Sequence, residues 1–177
     1  SVNPKHGGPI KGIRQQAQQH THFGHSTEIA CLDSPECTFL NFPSVKVYPL
    51  GLKIYDRILP ISLYKWVKNN HYSYDSIIIN GIWGFHLFAC WLALRNTVTP
   101  YFVFSHGMLD PWFNRTFPLK HLKKWLVWPW AIYPGLKDAD AVFFTCEQEK
   151  LLARKSFWLY DCNEIVINYG TKGVPNP

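Results

Sequence analysis

Short apolar runs alternate with segments of helical character along the chain. Six stretches resemble strands because they are short, apolar and rich in β-branched and aromatic residues: 28–32, 45–48, 76–80, 101–105, 141–145 and 164–168. The segments between them predict helices at 9–21, 59–70, 85–95 and 147–155, and a long connection covers 110–136. This alternation predicts an α/β fold with a mostly parallel sheet and helices on both of its faces.

One uncharged stretch, residues 76–94, is nearly long enough to span a bilayer. Asn80-Gly81, Gly84 and His86 interrupt it, and Ile77-Ile78-Ile79 is typical of a buried strand. We therefore interpret this stretch as a strand, a glycine-containing loop and a helix rather than a transmembrane segment. The first six residues have no apolar core, so we expect no secretory signal there.

The composition fits a folded domain that meets phosphate. The 177 residues allow one ordinary domain or two small ones, and 47% hydrophobic content excludes intrinsic disorder. Five cysteines, an odd number, favour a reducing compartment, so we predict a cytoplasmic protein. The net charge of +6 favours a phosphate-bearing partner, which charge alone leaves open among nucleic acid, anionic lipid and a phosphorylated small molecule.

Several common ligand motifs are absent from the sequence. No G-x-G-x-x-G follows a strand, and no G-x-x-x-x-G-K-[ST] occurs. These absences argue against a dinucleotide-binding or ATP-binding function. Cys31 and Cys37, and the cluster His20, His22 and His25, lack the spacing of a zinc site with a second ligand pair. We predict no metal site and interpret these residues as structural cysteines and surface histidines.

A glycine pair precedes the first predicted helix, in His6-Gly7-Gly8-Pro9. Glycines let a backbone approach a ligand closely, and a helix N-terminus offers unpaired N–H groups and a positive dipole end to an anion. Pro9 suits the first helical position, and Gly24 is expected to end the helix. The segment predicts either a phosphate-binding loop or a simple turn before a helix.

The string Ser105-His106-Gly107-Met108-Leu109-Asp110-Pro111-Trp112 follows a predicted strand. Ligands of open α/β sheets bind beyond the carboxyl ends of the strands, which is where His106 falls. An imidazole there can bind a sugar hydroxyl or a phosphate, and it titrates near neutral pH. The alternative is a histidine whose hydrogen bonds are satisfied by its own loop.

The long connection mixes lysines with tryptophans. Lys120, Lys123 and Lys124 lie beside Trp125 and Trp128, and this mixture is typical of a surface that meets an anionic membrane or an acceptor. The alternative, which the pattern slightly favours, packs one helical face against the sheet and leaves the lysines solvated; that face holds Leu119, Leu122, Trp125 and Leu126. Pro129 and Pro134 are expected to break or kink the helix.

Together these motifs resemble the N-terminal half of family 4 glycosyltransferases, and the H-G-M-L-D-P-W string is specific for a bacterial subgroup. The motifs occur in the expected order over nearly the whole chain: Asn3 to Pro9, Gly24-His25, Ser105 to Trp112, Ala139 to Val142, and Tyr169-Gly170. The resemblance implies a GT-B architecture, in which two Rossmann-like domains face a cleft. Residues 1–171 would form the N-terminal, acceptor-side domain, and 172–177 would begin the linker to a C-terminal donor-binding domain.

The resemblance also implies an activity. It is the retaining, metal-independent transfer of a sugar from a UDP- or GDP-linked nucleotide-sugar, which acts as co-substrate, to a glycan or lipid-linked acceptor in polysaccharide biosynthesis. His106 would orient the transferred sugar and stabilise an oxocarbenium-like transition state. Gly7 and Gly8 would lie near the donor diphosphate, with Gly107 and Asp110 as further phosphate- or acceptor-binding residues.

Two expectations concern what accompanies this segment. The family begins with an apolar strand before the Asn-Pro segment, of which Ser1-Val2 would be the remainder. We expect that central strand to be absent, leaving an edge that could pair in a homodimer, and we expect this segment alone to be inactive. The alternative function, from another class, is a non-catalytic basic module that docks on anionic membrane or nucleic acid.

Overall fold

The computed structural model describes residues 1–6, 8–42, 45–51, 56, 58–116 and 118–167. The chain divides into two compact units, Ser1–Leu63 and Tyr64–Asn168. In the first unit, strands β1 (Glu28–Cys31) and β2 (Lys46–Pro49) pair in parallel. In the second, a parallel four-stranded sheet has the order β3 (Ile77–Asn80), β4 (Tyr101–Phe104), β5 (Ala141–Phe144) and β6 (Glu164–Val166). The six predicted strands are therefore confirmed.

Helices lie between the strands along the chain, as a parallel topology requires. They are α1 (Gly8–His22), α2 (Ile61–Asn70), α3 (Phe85–Leu94), α4 (Trp112–Thr116), α5 (Pro118–Val127), α6 (Tyr133–Lys137) and α7 (Glu147–Ala153). Short 3₁₀ helices occupy Pro4–His6, Thr38–Leu40 and His71–Ser73. The predicted fold class, Rossmann-like α/β with parallel sheets flanked by helices, is confirmed.

Helix α1 begins and ends where the sequence predicts. It starts at Gly8, next to Pro9, and Gly24 follows its last turn with a φ of +80°. The amide of His25 donates to the carbonyl oxygen of His20 (2.8 Å), and the amide of Gly24 donates to that of Thr21 (3.1 Å). These two bonds form a Schellman motif, whose left-handed residue is most often glycine.

The four-stranded sheet carries the core of the second unit. Val103 and Val142 are fully buried, and the buried Leu87 of α3 packs against α6. A Cβ added at Gly135 of α6 would come within 3.0 Å of the Leu87 side chain, so a larger residue there would require Leu87 to shift. The residues 76–94 form β3, a loop and α3 as predicted, and no helix in the described part of the chain is long and apolar enough to cross a membrane.

The connection between β4 and β5 is helical but interrupted. Helix α5 ends at Val127 and a π-helical turn, Trp128–Ile132, leads into α6. Pro129 has no N–H to donate to the preceding turn, and the amide of Tyr133 donates to the carbonyl oxygen of Trp128, five residues earlier. The predicted interruption at Pro129 is confirmed.

Candidate functional site

Polar side chains gather at the carboxyl ends of β3, β4 and β5. Asn80 is the last residue of β3, Ser105 and His106 follow β4, and Thr145 follows β5. Glu149, from the first turn of α7, lies between the ends of β4 and β5. The strands are parallel, so these groups meet at one edge of the sheet, where α/β proteins bind their ligands.

His106 occupies a strained turn directly after β4. Its φ is +49°, the only positive φ among the non-glycine residues that the structure describes, and the next residue, Gly107, has φ +73°. The amide of Met108 donates to the carbonyl oxygen of Ser105 (3.1 Å), which closes a tight turn over these two residues. A left-handed conformation at a non-glycine residue is uncommon and persists where surrounding contacts impose it, often at functional sites.

Contacts from the sheet hold the His106 ring in place. The ring stacks on buried Phe104, with centroids 4.3 Å apart and an angle of 9° between the planes. Nε2 lies 2.9 Å from Oδ1 of Asn80, and with the amide oxygen facing the ring, Nε2 carries the hydrogen. Burial lowers the pKa of His106, an effect that the Glu149 charge partly opposes. The neutral imidazole is therefore the main form at neutral pH.

Glu149 joins the ends of two strands through four hydrogen bonds. Oε1 accepts from the Ser105 hydroxyl (2.5 Å) and the Gly107 amide (2.7 Å). Oε2 accepts from the amide (2.7 Å) and the hydroxyl (2.6 Å) of Thr145. Burial acts to raise the pKa of Glu149, but the hydrogen bonds from Ser105, Thr145 and Gly107 outweigh it, and the pKa is lowered. A charged carboxylate thus fixes the turn that carries His106.

Hydrogen bonds also fix the rest of the loop after β4. The indole of Trp83 donates to the carbonyl oxygen of Met108 (3.0 Å). The amide of Asp110 donates to the carbonyl oxygen of Gly107 (3.2 Å), and Oδ1 of Asp110 accepts from the amide of Trp112 at the start of α4 (2.8 Å). His106, Gly107 and Asp110 therefore lie in one loop. The Asp110 carboxylate accepts a hydrogen bond within that loop, at the start of α4.

The predicted phosphate-binding glycines belong to the first unit. Gly8 is the first residue of the 15-residue helix α1, one position before the predicted start at Pro9. Gly7 lies outside the described residues, as do Tyr169-Gly170 and the predicted linker 172–177. The role of the glycine pair stays a prediction.

The orientation of α5 differs from the favoured interpretation of its sequence. Leu122, Trp125 and Leu126 are 61%, 40% and 68% exposed. Lys123 is exposed, whereas Lys124 is half-buried, with its ammonium 4.2 Å from the centroid of the Trp83 ring. The interpretation that this apolar face packs on the sheet is wrong, because the half-buried Lys124 lies on the opposite face, where it contacts aromatic rings inside the unit.

Trp128 does not belong to a surface, and its assignment to one is wrong. Its side chain is completely buried and stacks on Phe157, with centroids 4.0 Å apart. Its indole N–H donates to the carbonyl oxygen of Leu159 (2.6 Å), which satisfies its one polar group. Trp128 follows Lys124 by four positions, so helical spacing places it on the half-buried side and not on the exposed face of α5. Lys120 lies in α5, and its side chain is outside what the structure describes.

The histidines that could suggest a metal include one close pair, His20 and His25, whose ring centroids are 6.3 Å apart. All five cysteines are free, Cys31 is buried, and Nδ1 of His20 lies 3.0 Å from the Thr27 hydroxyl oxygen. His22 and His25 are exposed. No group of three or more potential metal-ligating side chains occurs within the described ranges.

A parallel α/β sheet whose polar groups converge on the carboxyl ends of its strands defines a ligand-binding class of protein. The family model of the glycosyl transferase 4-like domain matches residues 7–167, which is most of the chain. The chain therefore belongs to the family 4 glycosyltransferases, and its activity class is glycosyl transfer. No curated protein and no solved structure matches it.

Two residues of the site were missed in the sequence. Asn80 is visible as a polar residue ending an apolar strand, which is the signal used for His106. The sequence places Glu149 in the first turn of a predicted helix, where an acidic residue is favoured for electrostatic reasons alone. No sequence signal connects it to Ser105, because their separation in the chain is bridged only by the pairing of β4 with β5.

Proposed function

We propose that this chain is the acceptor-side domain of a retaining glycosyltransferase with a GT-B architecture. The donor is a UDP- or GDP-linked sugar and the acceptor is a glycan or a lipid-linked glycan. In the transfer, the bond between the anomeric carbon and the diphosphate oxygen breaks and the nucleoside diphosphate leaves with the electron pair. The acceptor hydroxyl forms the new bond to the anomeric carbon and transfers its proton to the departing diphosphate.

The observation that carries this proposal is the held position of His106 at the carboxyl end of β4. Its ring is fixed by Phe104 and Asn80, and its turn by Glu149. Such preorganised groups stabilise the charge of a transition state without first having to reorganise. In the proposal, the neutral imidazole orients a hydroxyl of the transferred sugar and faces the positive charge that develops at the anomeric carbon.

The phosphate contacts come from backbone groups in this proposal. Helix α1 begins at Gly8, and the first amides of a helix and the positive end of its dipole both favour an anion such as the donor diphosphate. In the proposal, Gly7 and Gly8 lie near that diphosphate. Gly107 and Asp110 would contact phosphate or acceptor from the loop that carries His106. These groups need no metal ion to balance the charge of the leaving group, so we propose a metal-independent reaction.

In this proposal the enzyme works in the cytoplasm, in the biosynthesis of a bacterial polysaccharide or envelope glycan. The family membership supports sugar donor and acceptor as partners. A donor-binding domain beyond the present chain would supply contacts to the nucleotide. The alternative, a non-catalytic module, predicts binding of anionic surfaces without any turnover.

The test is a screen of UDP- and GDP-sugars with the complete protein, measuring release of nucleoside diphosphate with and without a lipid-linked acceptor. We expect release from one donor, and we expect His106→Ala to lower the turnover by about 100-fold or more. The matched control is His22→Ala, since His22 is an exposed histidine in the first unit.

Two results would contradict the proposal. Unchanged turnover in His106→Ala would remove the role of His106. No release from any donor, with both domains folded, would favour the non-catalytic module.

A further inference from the structure

Helix α5 turns an apolar stripe toward solvent. Leu122 and Leu126 are four positions apart and Trp125 is three positions after Leu122, so the three side chains share one helical face. All three are exposed, and Trp130 in the π-helical turn is 49% exposed. An amphipathic helix of a globular domain normally buries such a stripe. Here the stripe is left on the surface.

Other aromatic residues of the same unit extend this stripe into a wider surface. The indole of Trp158, which is 65% exposed, stacks beside that of Trp125, with centroids 6.4 Å apart. Trp130 contacts Phe85 and Phe88 of α3, with centroids 6.0 and 5.7 Å apart. We name the side chains of Leu122, Trp125, Leu126, Trp130 and Trp158 the indole face.

The chain segment that holds four of the five side chains of the indole face carries only positive formal charge. Residues 111–137 contain no aspartate or glutamate, and their basic residues are Arg115, Lys120, Lys123, Lys124 and Lys137. Lys123 is exposed next to Leu122 in the helix. The ammonium of Lys124 lies 4.2 Å from the centroid of the Trp83 ring and 5.4 Å from that of Phe113, on the opposite face of the helix, so Lys124 is not part of the indole face.

We propose that the indole face docks this domain on the surface of an anionic lipid bilayer. Leucines and indoles enter the boundary between head groups and acyl chains, and the exposed Lys123 beside them lies among the phosphates. Charge complementarity selects this occupant, because the acid-free segment 111–137 matches a negative surface. Isolated protruding leucines also suit a fluid bilayer, which needs no preformed pocket to receive them.

This docking is independent of the transferase proposal, because it is measured without a sugar donor or acceptor. The experiment is co-sedimentation of the protein with vesicles of phosphatidylcholine, with and without about 30% phosphatidylglycerol. We expect binding to the anionic vesicles that weakens as salt screens the lysines, and little binding to the neutral ones.

Three variants separate the apolar contribution from the charged one. Leu122→Ser with Leu126→Ser should weaken binding by about tenfold or more, since apolar contact with the bilayer is lost. Lys123→Gln should weaken it by about fivefold and reduce its dependence on salt. The matched control is Val98→Ser, which changes a 99% exposed apolar residue outside the acid-free segment and should leave binding unchanged.

Each other outcome overturns the proposal. It fails if neither vesicle is bound, if both are bound equally, or if the leucine variant binds as well as the parent protein. It fails as well if sedimentation velocity shows a dimer that the leucine variant dissociates, since a second copy then covers the face. Circular dichroism and urea unfolding confirm that each variant is folded, and the substituted positions are exposed enough to leave the core intact.

Discussion

The backbone of His106 is held in a conformation that a non-glycine residue leaves readily when nothing opposes it. The left-handed region costs about 1 to 2 kcal/mol for such a residue. The opposing contacts are the ring stack on Phe104, the Asn80 amide and the bond from the Gly107 amide to Glu149. The position of the imidazole therefore depends on residues that need not touch a substrate.

Replacing Glu149 with glutamine tests this dependence. A glutamine has one accepting oxygen, so it can satisfy either Thr145 or the pair formed by Ser105 and Gly107, but not both. We expect Glu149→Gln to lower the free energy of unfolding by about 2 kcal/mol, measured by urea denaturation. Glu147→Gln is the control, since this exposed carboxylate pairs with Lys150 and should change stability by less than about 0.5 kcal/mol. Equal effects of the two variants would argue against a stabilising role of the Glu149 hydrogen bonds.

Gly107 and Gly24 both have a positive φ, and substituting each of them distinguishes the effect of backbone strain from an effect on catalysis. A Cβ at Gly107 or at Gly24 meets no atom within 4 Å, so alanine strains only the backbone, at φ +73° and +80°. Each Gly→Ala change should lower the free energy of unfolding by about 1 kcal/mol. In the transfer assay, Gly107→Ala should lower kcat because it shifts the His106 turn, whereas Gly24→Ala should not. Loss of activity in both variants would point to general destabilisation.

The sequence predicts His106 but not its supports. The position of His106 after a strand can be read from a local apolar run followed by a glycine. The Glu149 bridge cannot be read in this way, because it requires the register in which Phe104 pairs with Phe143. The role of a residue whose contacts are local in the chain can be predicted from the sequence. The role of a residue that contacts a neighbouring strand can be predicted only when the strand pairing is known.

At the scale of elements, the strands were easier to predict than the orientation of one helix. Buried parallel strands are continuous apolar runs, and the six runs are all strands in the structure. Helix α5 has an amphipathic pattern, which distinguishes two faces but does not determine which of them packs against the rest of the domain. The structure buries the Lys124 stem against Trp83 and exposes Leu126, since aromatic rings accept a lysine stem and its charge together.

Two tryptophans of the π-helical turn should differ in their contribution to stability. Both indole N–H groups donate to carbonyl oxygens, Trp128 to Leu159 and Trp130 to Leu126. Trp128 is completely buried, so Trp128→Phe removes a buried hydrogen bond and leaves a gap, costing about 1 to 2 kcal/mol. Trp130→Phe should cost less than about 0.5 kcal/mol, since its ring is half exposed. Thermal unfolding of the two variants measures the difference, and the reverse ranking would contradict the burial described here.

At the scale of the whole molecule, stability should fall with acidity in two stages. Burial lowers the pKa values of His86 and His106 below the ordinary 6.5. As the pH falls below 6.5, these histidines bind protons in the unfolded chain before they do so in the folded one, so the folded state loses stability.

The second stage involves carboxylates. Despite the opposing effect of burial, hydrogen bonds lower the pKa of Glu149 below 4.5 and that of Asp33 below 3.8. Their stabilisation is complete above these values and is lost as the pH falls through the folded pKa values. Urea unfolding from pH 7.5 down to about 2.5 should show both declines, and His86→Gln should flatten the first. A stability that is constant down to pH 5 would contradict the histidine contribution.

The parallel pairing of every described strand also determines how this chain must reach its fold. No two neighbouring strands are joined by a tight hairpin: Ile77 pairs with Tyr101, and Phe102 with Ala141, across whole intervening helices. Each pairing must close a long loop before its contacts form, which makes the contact order high and refolding slow. During that time the apolar strands and the indole face are exposed together, and chains that meet then can aggregate. Low protein concentration and low temperature during synthesis should therefore favour recovery of the folded domain.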